Sequence, residues 1–211
     1  MKITKYGHCC MLIEENGTRI ITDPGSFTDK QNDAENVQVI LITHEHADHF
    51  HIESVKKILE KNKEAVIVTN TMVGLLLAKE QIPFTPVEHL QNVEIGNVKI
   101  EGFGTEHAPM FPGVPPAMNT GYFINDQFFY PGDAFVLPGK PVDILALPVA
   151  GPWMKIGEAI EYALAIKPKT AVPVHDGVLK YPDMMSQRLQ DYLGSQGIQF
   201  VRLETEKETE L

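Results

Sequence analysis

The stretch VQVILITHEHADHFH, residues 37–51, decides both the fold and the chemistry of this chain. Its first half, residues 37–43, is almost continuously β-branched or apolar, which is typical of a strand buried on both faces. Its second half places four of the eight histidines of the chain close together. The pattern predicts a central strand that delivers metal-ligating side chains into the loop behind it.

The sequence around this strand alternates hairpin patterns with strand-helix patterns. Before it, residues 2–21 predict antiparallel strands with a turn at Asn16-Gly17. After it come two strand-helix units, two further hairpins, and the strand-helix patterns of residues 143–197. We expect the charged tail ETEKETEL, residues 204–211, to be frayed. Two passes of hairpins followed by strand-helix units predict an α/β fold, in which two mixed sheets pack face to face with helices outside.

Composition and charge narrow the function. With 211 residues, 43% apolar and 22% charged, the chain predicts one globular domain, residues 1–211. Cys9 and Cys10 are adjacent and cannot easily pair with each other, and no apolar run is long enough to span a membrane, so we expect a cytoplasmic protein. The formal charge of −10 argues against a nucleic-acid partner and favours a small-molecule substrate. The oligomeric state stays open.

The histidine cluster has the geometry of a metal site. In an extended segment His44 and His46 project to the same side, and a following turn can bring Asp48 and His49 to a second point nearby. This arrangement suits two neighbouring metals. Imidazoles with a few carboxylates are the ligand set of zinc, with manganese or iron as alternatives.

Further ligands must come from later in the chain, because the cluster supplies at most four. Three candidates stand where a predicted strand ends, namely His107 after VKIEGF, Asp133 after FFYPG, and His175 after TAVPV. Loops at one edge of paired sheets commonly carry the functional residues.

The order of these motifs resembles the metallo-β-lactamase superfamily. THEHADH is followed by a later histidine, a Gly-Asp pair and a further histidine, and the resemblance covers essentially the whole chain. Within the superfamily, the chain is most similar to the compact metal-dependent hydrolases related to L-ascorbate-6-phosphate lactonase. The resemblance implies a metallo-β-lactamase-like αβ/βα sandwich.

The resemblance also implies the role of each ligand. His44, His46 and His107 would hold one divalent cation, Asp48, His49 and His175 would hold the other, and Asp133 would bridge both. A hydroxide between the two metals would be the attacking species, and Asp48 is the catalytic candidate that orients it or accepts its proton. Asp23 is a candidate to fix a histidine tautomer through the other ring nitrogen. The paired cations would attract an anionic substrate although the chain is acidic.

Residues outside the ligand set have two interpretations each. His8 is a candidate to line one wall of the substrate site, or equally a buried core histidine whose hydrogen bonds are all made within the protein. Lys155 is a candidate partner of a substrate anion, or a solvated lysine at a helix end. The loop of residues 109–119 is expected to form a stiff apolar pocket wall or lid. His51, which we expect one turn into a helix, and His89 are assigned no function.

Three functions fit this site. The first is a dinuclear hydrolase of a small ester, lactone or phosphate-bearing metabolite. The second is a metal-dependent phosphodiesterase or nuclease, which the acidic composition disfavours. The third is a di-iron redox protein of the same fold. Position 46 is a histidine and not a carboxylate, which favours zinc over a di-iron centre.

Overall fold

Two seven-stranded sheets, flanked by helices, make up the computed structural model, which describes residues 1–211. The strands are β1 (Lys2–Gly7), β2 (Cys10–Glu15), β3 (Thr18–Thr22), β4 (Val39–Ile42), β5 (Val66–Thr69), β6 (Thr85–Pro86), β7 (Asn92–Ile95), β8 (Val98–Phe103), β9 (Gly121–Ile124), β10 (Phe128–Tyr130), β11 (Ile144–Pro148), β12 (Thr170–Val174), β13 (Gln199–Phe200) and β14 (Glu208–Glu210). The helices are α1 (Ile52–Lys61), α2 (Thr71–Lys79), α3 (Ile156–Ile166) and α4 (Pro182–Ser195). None of them is both long and apolar enough to cross a membrane.

The sheets follow the chain in two passes. The first sheet has the order β14-β1-β2-β3-β4-β5-β6, and the second has the order β13-β12-β11-β10-β9-β8-β7. Each sheet combines antiparallel hairpins with parallel strands joined through helices. The predicted α/β sandwich of two mixed sheets is confirmed.

Side chains of β4 show how this layering arises from the sequence. All four of its residues are buried. Val39 and Leu41 belong to the core between the sheets, whereas Ile40 and Ile42 belong to the core beneath α1 and α2. Successive side chains of a strand point to opposite faces, so only a continuously apolar strand fits between two apolar layers.

The chain terminus corrects the sequence-based expectation of a frayed tail. Glu208–Glu210 form β14, which pairs antiparallel with β1 and places Lys2 opposite Glu210. The Lys2 ammonium also lies 2.8 Å from the Glu208 carboxylate. An edge strand exposes much of its surface to water, so charged residues are compatible with it and do not indicate fraying.

Strand direction brings the functional loops together. β3 and β4 are parallel, and β8, β10, β11 and β12 share one direction in the second sheet. The hydroxyl of Tyr130, at the end of β10, hydrogen-bonds the carboxylate of Asp23, which follows β3. The carboxyl ends of these strands therefore meet at one edge of the sandwich.

Gly25 allows the loop behind β3 to pack against the loop behind β4. A Cβ atom at Gly25 would lie 1.9 Å from the backbone oxygen of Asp48, so only glycine fits there. The amide of Ser26 also donates a hydrogen bond to the carbonyl of Ala47 at 2.8 Å. The position of the Asp48-His49 segment thus depends on this contact.

We predict opposite effects for two glycine substitutions. Gly25→Ala should lower the free energy of unfolding by about 1–3 kcal/mol, because the methyl group collides with backbone that cannot move freely. Gly194→Ala, in α4 with nothing within 4 Å of the added Cβ, should raise it by roughly 0.5–1 kcal/mol. Urea unfolding of both variants measures this, and an unaffected Gly25→Ala protein would contradict the packing argument.

Candidate metal centre

The seven residues expected to bind metal converge at the edge where the strands end. They form two adjacent groups, and within each group the potential ligand atoms all lie within 4.8 Å of one another. The residues are His44, His46, Asp48, His49, His107, Asp133 and His175.

The first group contains the imidazoles expected for the first metal. Nε2 of His44 lies 3.1 Å from Nδ1 of His46. Nε2 of His107 lies 3.3 Å from Oδ2 of Asp133. These residues come from two sheets, since His44 and His46 follow β4 while His107 and Asp133 follow β8 and β10.

The second group combines Asp48, His49 and His175. Oδ2 of Asp48 lies 3.5 Å from Nε2 of His175 and 3.8 Å from Nε2 of His49. Asp133 connects the two groups, because its Oδ1 lies 3.2 Å from His49 Nε2 and its Oδ2 lies 3.0 Å from His175 Nε2. This is the position that a bridging carboxylate requires.

Unpaired buried atoms show that the residues suit divalent cations. Nε2 of His49, Nε2 of His107 and Oδ1 of Asp133 are buried without a hydrogen-bond partner. Leaving such an atom unsatisfied costs about 1–3 kcal/mol each. Imidazole nitrogen and carboxylate oxygen are ligands of zinc, manganese and iron, so a bound cation would satisfy all three atoms.

Asp23 fixes which ring nitrogen of the histidines faces the centre. Its Oδ2 accepts hydrogen bonds from Nδ1 of His49 at 2.6 Å and from the hydroxyl of Thr43 at 2.7 Å. That hydroxyl in turn accepts from Nδ1 of His44 at 3.0 Å. With Nδ1 carrying the proton in both histidines, Nε2 presents its lone pair to the centre. The geometry is that of the role expected for Asp23.

Burial and charge set the protonation of these groups. Burial lowers the pKa of His44 well below its ordinary value and also lowers that of His46, so both imidazoles are neutral. Burial would raise the pKa of Asp133, but the neighbouring His49 holds it well below its ordinary value. Burial opposes charge on His49 too, yet Asp133 raises its pKa. A metal cation would have to displace the proton that His49 binds at its Nε2, so metal affinity should fall as the pH falls.

His8 is the fourth member of the second group, with a ring nitrogen within 4.8 Å of the ligand atoms of Asp48, His49 and His175. It is buried, and its Nε2 lies 3.1 Å from Oδ2 of Asp48. Its ring lies 4.2 Å from the ring of His175, measured between centroids. The structure therefore places His8 beside two expected ligands, while a contact with substrate stays a prediction.

The backbone around His8 is shaped for this contact. His8 has a φ of +49°, in the left-handed region that few non-glycine residues adopt. A Cβ atom on Gly177 would lie 2.9 Å from Nδ1 of His8, so the absence of a side chain there makes room for the ring. Such conformations concentrate at functional sites.

Two further residues border the centre that the sequence did not assign to it. The Cys9 sulfur lies within 4.8 Å of ligand atoms of His49 and Asp133. The ring of buried Trp153 packs edge-on against His107 and His175 at 5.7 and 5.9 Å. Adjacency of Cys9 to His8 and the position of Trp153 behind β11 were the only available signals.

The loop of residues 109–119 forms one wall of a cleft beside the first group. The cleft has a volume of about 710 Å³ and includes the expected ligands His46 and His107. Met110, Phe111 and Val114 of the loop line it. The expected pocket wall is therefore present in the structure.

Lys155, His51 and His89 lie outside this cleft. Lys155 is the exposed residue that precedes α3, and its amide donates to Glu158 at 2.6 Å. The expectation that His51 lies one turn into a helix is wrong. His51 is the half-buried residue that precedes α1. Its Nδ1 lies 3.0 Å from Oγ of Ser54 in the first turn of the helix, and this contact holds the ring at the helix start. The substrate role of Lys155 stays a prediction.

Comparison with known proteins gives a consistent result. The family model for a beta-lactamase superfamily domain matches residues 2–175. Protein Rv0786c of Mycobacterium tuberculosis is 34% identical over 85% of each chain. A UPF0173 metal-dependent hydrolase of Methanocaldococcus jannaschii is 27% identical over 82% of this chain and 83% of its own.

Two solved structures show the fold. The metallo-beta-lactamase fold protein YhfI from Bacillus subtilis matches with a TM-score of 0.73 at 14% identity, over 99% of this chain and 98% of that one. CmlA, a diiron β-hydroxylase from Streptomyces venezuelae, matches with a TM-score of 0.74 at 15% identity, over 100% of this chain and 54% of that one. The expected metallo-β-lactamase fold is confirmed.

We predict that Asp23→Asn lowers metal affinity by about tenfold to a hundredfold. Both oxygens of Asp23 accept hydrogen bonds, so the NH₂ group of an amide must face a donor, and this weakens the hydrogen bonding that keeps the proton of His49 on Nδ1. Competition with a chromophoric chelator measures the affinity. Asp191→Asn, on the exposed face of α4, is the matched control. Equal affinity in both variants would contradict the role of Asp23.

We also predict that His8→Ala weakens the second metal site by about tenfold or more, because Asp48 loses the partner of Oδ2. Zinc content after dialysis at fixed free zinc should fall from two equivalents toward one. His51→Ala, which removes a histidine outside both groups, should retain the wild-type content. If the two variants hold the same amount of zinc, His8 does not position Asp48.

Proposed function

We propose that this chain, which belongs to the beta-lactamase superfamily domain family, holds two divalent cations, zinc by preference. The chain is a metal-dependent hydrolase of the metallo-β-lactamase fold, and the substrate that we propose for it is a small ester, lactone or phosphate-bearing metabolite. The observation that carries the proposal is the placement of Asp133 between two separate groups of imidazoles. A tetrahedral zinc ion takes four ligands, so six donor residues around a shared carboxylate suit two ions better than one.

The paired cations would supply a water of lowered pKa, about 7 compared with 15.7 in bulk, and would polarise the oxygen of the bond to be cleaved. The residues of the chain would do the rest. His44, His46 and His107 would hold the metal on the cleft side of the centre, and Asp23 would keep His49 directly, and His44 through Thr43, in the correct tautomer. Trp153 and the apolar core would exclude bulk water from behind the site.

Asp48 is the residue that we assign to orient water and accept its proton. Its side chain is 20% exposed, whereas that of Asp133 is only 3% exposed. A carboxylate that reaches solvent can hold a water molecule and pass its proton on to solvent. Burial would raise the pKa of Asp48, but hydrogen bonds to His175 and His8 hold it below its ordinary value, so exposure and not basicity distinguishes Asp48 from Asp133. His8 would keep Asp48 in the required orientation.

The other two candidate functions have weaker support. A nuclease or phosphodiesterase would require a surface that attracts a polyanion, and the chain has a net charge of −10. A di-iron redox protein has a fold relative in CmlA, but a likeness at 15% identity concerns the fold alone. An imidazole at His46 in place of a carboxylate favours zinc over iron.

Two further points belong to the same proposal. Cys9 and Cys10 are both free and buried, which fits a reducing compartment, so we place the protein in the cytoplasm. The relation to L-ascorbate-6-phosphate lactonase rests on the order of the sequence motifs. We propose a small-molecule substrate as the binding partner of the protein.

Removal of a ligand tests the hydrolase directly. His107→Ala and Asp133→Ala should each lower metal-dependent hydrolysis by about a hundredfold or more, because a water of lowered pKa requires the intact centre. The assay uses zinc-loaded protein on a panel of carboxylic esters, lactones, thioesters, amides and phosphodiesters. His89→Ala should keep full activity. Hydrolysis that survives both ligand substitutions, or that zinc does not affect, would refute the proposal.

A further inference from the structure

The cleft beside the first metal group is mostly hydrocarbon. It opens over His46 and His107, with a volume of about 710 Å³. Its apolar wall comprises Met72, Met110, Phe111, Val114, Pro116 and Met118. A small organic substrate commonly occupies a pocket of 300–1,000 Å³, and this one adjoins the atoms that would activate the water.

Several side chains of this wall are exposed. Phe111 is 62% exposed and Val114 is 59% exposed, although both are large and apolar. Clustered apolar residues at a protein surface mark sites that are covered in the functional state. Four prolines between residues 109 and 116 limit the backbone freedom of the wall, so little conformational entropy is lost when a ligand covers it.

The charged residues of the same cleft are both carboxylates. Glu45 and Glu106 line it, and no lysine or arginine does. A phosphate or other dianion at this position would be repelled by these two side chains and would find no cation except the metals. The lining therefore selects against a phosphate-bearing group.

A second cleft, of about 380 Å³, lies on the other side of the centre, where His8 borders it. It contains three cationic side chains, and each one is already paired. Lys5 lies 2.7 Å from Asp176, Arg202 lies 2.6 Å from Asp183, and Lys30 pairs with Glu206. An anionic substrate in either cleft would therefore meet carboxylates, or cations that already lie beside a carboxylate.

From this lining we infer that the substrate is an uncharged carboxylic ester or lactone with a hydrocarbon chain, and that the chain lies on the wall formed by Phe111 and Val114. The inference rests on the proposed function and narrows it away from phosphate-bearing metabolites. In the reaction, the oxygen of water bonds to the acyl carbon and the acyl carbon-oxygen bond breaks. The leaving alkoxide takes up one proton of the water, so an ester gives an acid and an alcohol and a lactone gives one hydroxy acid.

The first arm of the test measures hydrolysis. Zinc-loaded protein is assayed on 4-nitrophenyl esters with acyl chains of two to eight carbons, and on 4-nitrophenyl phosphate. We expect kcat/KM to rise about twofold to fourfold per methylene, as half to full burial of each CH₂ group implies, and we expect the phosphate to be a poor substrate. Phe111→Ala should flatten the chain-length dependence. Tyr192→Ala, which removes an exposed ring from α4, should leave it unchanged.

The second arm measures binding without catalysis. Met72, Met110 and Met118 line the cleft, so methionine labelled with ¹³C at the methyl group reports on its occupancy by NMR. Octanamide, an uncharged mimic with a hydrocarbon tail, should shift these three signals and leave that of Met184 on α4 unchanged. Phe111→Ala should weaken octanamide binding by about threefold or more.

The two arms separate the possible failures. Metal-dependent hydrolysis without chain-length dependence, or with a preference for the phosphate, would overturn the inference and leave the hydrolase intact. Octanamide binding in the cleft without metal-dependent hydrolysis of any ester, lactone or phosphate would support the apolar site and refute the proposed function. If octanamide shifts none of the three methionine signals, the inference is wrong whatever the hydrolysis assay shows.

Discussion

One constraint governs the structure: several imidazole nitrogens must direct their lone pairs into a buried space where no protein group donates a hydrogen bond to them. Asp23 meets this constraint by binding Nδ1 of His49 directly and Nδ1 of His44 through Thr43. The hydroxyl of Tyr130 binds the same carboxylate from the other sheet. One buried carboxylate therefore connects the tautomers of the ligands to the packing of the two sheets.

Local sequence patterns predicted the parts of the site that depend on one segment or on strand ends. The HEHADH spacing predicted the first four candidate ligands, and the ends of three later strands predicted His107, Asp133 and His175. Because strands of one direction end at one edge, these residues had to be near each other once the sandwich was predicted. The same reasoning located the apolar loop beside the ligands.

Other features depend on contacts between distant segments, which a sequence pattern does not encode. His8 reaches Asp48, 40 residues away, through a left-handed backbone conformation and the space above Gly177. Trp153 joins the site only because α3 begins beside β11. The charged tail pairs with β1 because a free edge was available. Composition alone suggested solvation for the tail and left His8 undecided.

The strand ends carry the expected chemistry of this protein and the loops its selectivity, as is common when one fold serves many reactions. Anomalous diffraction at the zinc edge, from crystals of the zinc-loaded protein, would locate the paired metal centre. We expect two zinc peaks per chain, one beside His44, His46 and His107 and one beside Asp48, His49 and His175, with Asp133 between them. A single peak, or none at this edge of the sandwich, would contradict a paired centre.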